Sequence, residues 1–189
     1  MLMSSGYIIT PKDTDTDIQV LTEDDSNVVT YSLASPFTVT RLCRNECPYC
    51  SFRRRDTLVV PYSTIKSAKH ARQLGAREGV YVSGERPDKY NNVRSLLDLW
   101  GFSSYLDYLY TVCELGFLEG LIPSLEVGFL SPVEMKKMLE VCAINKIMLD
   151  SIDPNQAEKF YEKSPGKKLE LRVKSLHWAG KLKFPTTTG

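Results

Sequence analysis

An α/β fold, with parallel strands on the inside and helices on the outside, is what this sequence predicts. Two observations carry that expectation. From Val28 onward, short apolar runs alternate with longer amphipathic runs, the rhythm of β/α units feeding a parallel sheet. Helix signals recur between the apolar runs, the clearest being Ser131-Pro132-Val133-Glu134, with proline at the first helical position and glutamate at the third.

The elements follow in order. A first strand is expected from Phe37 to Leu42, leading directly into a cysteine-rich loop. Pro61-Tyr62-Ser63-Thr64 opens a helix to about Leu74, on which Ile65, Ala68, Lys69, Ala71 and Arg72 share a face, and Gly75 is placed to end it. Gly79 to Ser83 reads as the second strand and breaks at Gly84. Helical stretches follow at Asn91 to Trp100 and Tyr105 to Leu115, then a third strand from Leu121 to Val127. The Ser131 cap starts a helix reaching about Cys142, and Lys146 to Asp150 is the fourth strand. Leu169 to Ala179 reads as a helix, and Phe184 to Thr188 as the start of a fifth strand.

This gives two regions. Residues 1–27, with Pro11-Lys12-Asp13-Thr14-Asp15-Thr16-Asp17 and Thr22-Glu23-Asp24-Asp25-Ser26, are polar and acidic without periodicity and are expected to be a mobile lead-in. Residues 28–189 hold four β/α units and part of a fifth. A closed eight-unit barrel takes about 250 residues. The core is therefore expected to be incomplete, as part of a longer enzyme or a truncated copy of one.

Composition excludes several classes of function. Hydrophobic residues make up 42% and charged residues 25% of the 189, ordinary values for a globular domain. The net charge of +1 gives no footprint for nucleic acid or an anionic membrane, and Arg53-Arg54-Arg55 is too short a basic run to supply one. No stretch approaches the roughly 20 apolar residues of a membrane span. No secretory leader is evident, so a cytoplasmic location is expected. Five cysteines in such a compartment point to metal binding or catalysis rather than disulfides.

Cys43-Arg44-Asn45-Glu46-Cys47-Pro48-Tyr49-Cys50 has the spacing C-x3-C-x2-C. Three thiolates within eight residues can wrap one face of a 4Fe-4S cubane and leave a fourth iron without a protein ligand. That iron is open to the amino and carboxylate groups of S-adenosylmethionine. A zinc site is the competing reading, but structural zinc sites usually pair two C-x2-C units and only one is present. Cys113 falls on a helical apolar face, Cys142 ends another helix, and His70 and His177 lie far along the chain.

The C-x3-C-x-aromatic-C pattern, with Tyr49 in the aromatic place, resembles the signature of the radical S-adenosylmethionine superfamily. A longer similarity, from Cys43 through Arg54, resembles the cluster loop of the 7,8-didemethyl-8-hydroxy-5-deazariboflavin synthases, specifically their ring-closing small subunit. It continues through Val82-Ser83-Gly84-Glu85-Arg86-Pro87, Gly128-Phe129-Leu130-Ser131, Met148-Leu149-Asp150-Ser151, Ser164-Pro165-Gly166 and Ala179 to Gly189. The resemblance implies the N-terminal part of a partial (β/α)6 TIM-like barrel. It implies Cys43, Cys47 and Cys50 as cluster ligands and Tyr49 beside the adenine. It places Ser83, Gly84 and Glu85 against the methionine amino group, Asp150 and Ser151 against the ribose, and Arg172 against the methionine carboxylate. Read without it, Ser83-Gly84-Glu85 is a strand-ending turn, Asp150-Ser151 a helix N-cap and Arg172 a surface helix residue. The implied reaction is deazaflavin ring closure with release of ammonia; the alternatives are a neighbouring radical enzyme, such as the partner subunit or a menaquinone-pathway or biotin-type enzyme, and a non-catalytic truncated fragment. The implied partners are a second radical subunit supplying the substrate and an electron donor for the cluster. Glu126-Val127-Gly128 departs from that family's pattern, which has asparagine before proline or alanine there.

Overall fold

The computed structural model describes residues 31–189, together with the backbone of two short antiparallel strands, β1 (Tyr7–Ile8) and β2 (Gln19–Val20). The remainder of the expected lead-in, residues 1–27, lies outside the described residues.

The core is a parallel sheet of five strands in sequential order: β3 (Ala34–Thr40), β4 (Glu78–Ser83), β5 (Ile122–Glu126), β6 (Ile144–Lys146) and β7 (Thr186–Thr187). Between them run α1 (Pro61–Gln73), α2 (Asn91–Leu99), α3 (Tyr105–Leu118), α4 (Pro132–Met138), α5 (Pro154–Tyr161) and α6 (Leu169–Leu182). The expected α/β architecture, parallel strands backed by helices, is the one observed.

The register sorts side chains onto two faces. Phe37, Tyr81, Leu125 and Asn145 are successive partners across β3 to β6. Tyr81 and Leu125 from that row pack with Tyr108, Leu109 and Val112 of α3, Met135 and Met138 of α4 and Ala179 of α6 in the main hydrophobic cluster. One residue further on, Thr38, Val82 and Glu126 are partners on the opposite face, because side chains alternate along a strand. That face and the strand ends beyond it hold the site.

Several boundaries differ from the sequence expectation. The first strand begins at Ala34 rather than Phe37, because Arg77 and Glu78 both donate backbone N–H to Leu33 and so dock the chain earlier. The Ser131 helix stops at Met138 rather than Cys142, since Glu140 and Val141 donate to the carbonyls three residues back and tighten the last turn. The fourth strand is Ile144–Lys146, not Lys146 to Asp150; Asp150 adopts φ +65°, a left-handed conformation that no strand can include. The helix α5 was not expected. Its signal is Asp153-Pro154, with the Asp153 carboxylate accepting from Asn155 N at 2.9 Å and proline opening the first turn. Asp150-Ser151 is therefore not the N-cap that its sequence offers.

Asp107 in the first turn of α3 is paired with Lys137 of α4 and accepts from Ser104 Oγ at 2.9 Å. The Lys137 hydrogen bond, before the Ser103 one, lowers its carboxyl from 3.8 to about 2. A depressed folded-state value stabilises the fold above the unfolded value and loses that contribution as pH falls through the folded one. Asp107→Asn is expected to destabilise at neutral pH by less than about 1 kcal/mol, as for a partly exposed pair. The difference from wild type should vanish as pH falls from 3.8 toward about 2, read as the converging of urea midpoints.

Candidate active site

The cysteine loop leaves the end of β3, where Thr40 Oγ1 accepts from Leu42 N at 3.2 Å. It is held from two sides. On the β4 side, Arg44 N donates to the Glu85 carbonyl (2.9 Å), Glu85 N donates to Cys43 Sγ (3.2 Å), and Tyr90 Oη donates to the Cys43 carbonyl (2.9 Å). On the side of the segment before α6, Gly166 N donates to Asn45 Oδ1 (2.9 Å), Glu46 N to the Lys163 carbonyl (3.0 Å), and the Ser164 hydroxyl lies 3.4 Å from Cys47 Sγ. Asn45 and Ser164 are buried, and Arg53 closes the rim through Glu46 at 2.8 Å.

Cys43, Cys47 and Cys50 line one cavity of about 330 Å3 at the C-terminal ends of the strands. Tyr49, Ser83, Gly84, Glu85, Asp150 and Arg172 line it too. Of the residues singled out from sequence, Ser151 alone stands back; its hydroxyl accepts from Asp153 N at 3.1 Å. Asn45, Phe52, Arg53, Glu126, Lys146, Met148 and Lys167 join the lining without having been assigned a role beforehand. Periodicity could have found Glu126 and Lys146, which lie two residues along from Ser124 and Ile144 on paired strands. Lys167 had no sequence signal.

Glu85 is the brace of the site. One carboxylate oxygen accepts from Arg44 (Nε 2.8 Å, Nη2 2.7 Å) and the other from Arg172 Nη2 and Phe129 N, at 2.9 and 3.0 Å. Its acceptor sites are thus filled by the protein itself, while the Ser83-Gly84-Glu85 backbone borders the cavity. Arg172 is only 2% exposed, which corrects the reading of it as a surface residue. Its Nε is buried without a hydrogen-bond partner, a spare donor in a residue that lines the cavity. Two glycines permit the brace. A Cβ on Gly166 would stand 1.6 Å from Glu85 Oε1, and one on Gly84 would stand 2.1 Å from the Leu42 carbonyl oxygen. Ser83 accepts from Tyr105 Oη at 2.6 Å and donates to the Gly84 carbonyl at 2.7 Å, fixing that turn.

The other rim is aromatic and charged. Tyr49 meets Tyr161 edge-on at 6.1 Å, and its hydroxyl lies 3.4 Å from Asp150 Oδ1. Asp150 is also paired with Lys167. Tyr49 is 58% exposed, so its ring is available to a planar ligand.

The donor set suits an iron–sulfur cluster. All three groups are soft sulfurs, and backbone N–H groups of Asn45 and Glu85 already point at Cys43 Sγ, at 3.4 and 3.2 Å. Burial raises the Cys43 thiol above its ordinary value and those N–H groups pull it back; bound iron would deprotonate it outright. Among the described residues, no three His, Cys, Asp or Glu side chains converge on a single-ion position. Ligands of a cubane need no such convergence, since each thiolate takes a different iron.

No protein-family model matches the chain. A 7,8-didemethyl-8-hydroxy-5-deazariboflavin synthase from Methanothermobacter thermautotrophicus is 37% identical over 166 residues, which is 85% of this chain and 50% of that protein. This chain is a homologue of the deazariboflavin synthases. Synthases of the same name from Archaeoglobus fulgidus (35% over 163 residues) and Methanococcus maripaludis (36% over 172 residues) agree. The chain spans about half the length of the curated synthases it matches. The crystal structure of the FeFe-hydrogenase maturase from Carboxydothermus hydrogenoformans superposes with a TM-score of 0.65 over 79% of this chain and 34% of that one, at 18% identity. That of methylornithine synthase gives 0.67 over 84% and 44%, at 15% identity. At these identities the likeness is one of fold, and the synthase homologue shares their architecture. No helix among its described residues is long and apolar enough to cross a membrane.

Proposed function

We propose that this chain carries the cluster-binding and S-adenosylmethionine-binding part of a radical deazaflavin synthase. The observation that carries the reading is convergence: Cys43, Cys47, Cys50, Tyr49, Ser83, Asp150 and Arg172, spread over the chain, border one cavity. Cys43, Cys47 and Cys50 hold a 4Fe-4S cluster. When bound there with S-adenosylmethionine, such a cluster supplies the electron that cleaves the sulfonium and yields a 5′-deoxyadenosyl radical.

The chain's own residues bind and orient. The spare Nε of Arg172 is a donor for the methionine carboxylate, and the Ser83-Gly84-Glu85 backbone borders the place of its amino group. Asp150, held by Lys167, is an acceptor for ribose hydroxyls, and the exposed Tyr49 ring covers the adenine. Glu85 keeps Arg44 and Arg172 in place rather than touching ligand. The substrate is 5-amino-5-(4-hydroxybenzyl)-6-(D-ribitylimino)-5,6-dihydrouracil, made by a partner radical subunit. Hydrogen abstraction and ring closure with loss of ammonia place the enzyme among the carbon–nitrogen lyases.

Anaerobic reconstitution with iron and sulfide, then reduction with dithionite, tests the reading. The expected products from S-adenosylmethionine are 5′-deoxyadenosine and methionine, with a cluster electron-paramagnetic signal that changes when S-adenosylmethionine is added. A cluster whose signal ignores S-adenosylmethionine would overturn it.

A further inference from the structure

The three sulfurs of the loop do not share one environment. Cys43 Sγ faces two backbone N–H groups, from Glu85 at 3.2 Å and Asn45 at 3.4 Å. Cys47 Sγ faces one side-chain hydroxyl, that of Ser164, at 3.4 Å. Among the described residues no donor reaches Cys50 Sγ, and Cys50 is exposed. Ser164 is remote in sequence, in the turn between α5 and α6, and is fully buried.

The direction of the Ser164 hydrogen bond follows from its other partner. Glu46 N donates to Ser164 Oγ at 3.1 Å, which occupies an acceptor position on the hydroxyl. A thiolate bound to iron has no proton to give, so the serine hydrogen is the one left to point at sulfur. The turn is itself fixed, since Ser164 N donates to the Tyr161 carbonyl at 2.8 Å and Lys167 N to the Ser164 carbonyl at 2.8 Å.

We propose that Ser164 is a positioning residue that sets the reduction potential of the cluster, by donating an O–H···S hydrogen bond to Cys47. The inference rests on the reading of Cys43, Cys47 and Cys50 as cluster ligands. Reduction adds negative charge that is shared with the sulfurs, so a donor aimed at one of them stabilises the reduced state more than the oxidised state. The electron needed to cleave a sulfonium must come from a strongly reducing cluster. A single hydroxyl on one of three ligands moderates that potential without burying a charge beside it.

The test is a redox titration of the anaerobically reconstituted chain, monitored by electron paramagnetic resonance. Ser164→Ala is expected to lower the reduced-to-oxidised ratio at a fixed potential several-fold, and at most about tenfold, the latter being 59 mV for a one-electron couple. Ser164→Cys keeps a weaker S–H donor and is expected to fall between Ala and wild type. Ser175→Ala, which removes another fully buried hydroxyl that instead donates to the Leu171 carbonyl, should leave the potential unchanged. A cluster that loads normally in Ser164→Ala and titrates like wild type overturns the inference and leaves the cluster reading standing. Loss of the cluster in both Ser164 variants with the fold retained makes Ser164 a loop clamp only, and also overturns it. A wild-type chain that takes up no iron–sulfur cluster overturns both.

Discussion

Replacing Cys43, Cys47 or Cys50 singly with alanine should abolish the visible absorbance of the reconstituted protein and reduce formation of 5′-deoxyadenosine to background. If, as proposed, the three loop sulfurs each serve one iron, losing one leaves a second iron open to water and the cubane without a stable seat. The control lies in the same chain. Cys113 and Cys142 are buried in the main hydrophobic cluster between sheet and helices, at 0% and 3% exposure, and do not border the cavity. Cys113→Ala and Cys142→Ala should cost about 1 kcal/mol of stability, as ordinary core truncations do, yet keep full iron content. The measurement is iron and sulfide per chain alongside the spectrum. Equal iron loss from loop and core variants would show that the cysteines act through folding rather than ligation.

Glu85→Ala should destabilise the protein strongly. Glu85 and Arg172 have side chains only 3% exposed, and their ion pair spans 2.9 Å. Removing the carboxylate leaves a buried guanidinium uncompensated, which costs about 3–5 kcal/mol, a large part of the 5–15 kcal/mol that typically separates folded from unfolded chains. It also frees Arg44 and leaves Phe129 N without its acceptor. Arg172→Met should cost less, because Glu85 keeps Arg44 and Phe129 N as donors. Urea unfolding of the three proteins gives the ordering. If Arg172→Met proves as damaging as Glu85→Ala, the carboxylate is not the shared anchor of loop and helix.

The loop sulfurs and the Glu85 brace are different layers of the same site, and the layers differ in how far they can be read from the chain. The cysteine loop is local: eight residues carry the spacing, so the ligand set can be proposed without knowing the fold. The ends of β4 and the capping box before α4 were also legible, since glycine breaks and Ser-Pro-x-Glu signals act over a single turn. The helix α5 is announced only by Asp153-Pro154, a weak signal because the helix is just eight residues long and a competing cap, Asp150-Ser151, stands three residues earlier. Arg172 looks like any helix arginine until α6 is laid against the cysteine loop, 87 residues away from its partner Glu85.

Spacing and periodicity alone therefore determined the parallel α/β architecture, the order of its units and the three sulfurs, because each of these depends on neighbours within a few residues along the chain. The tertiary structure alone decided that Glu85 braces two arginines, that Ser164 reaches Cys47, and that Glu126, Lys146 and Lys167 border the cavity. Those pairings join segments tens of residues apart, and their energy arises only when folding removes both partners from water together.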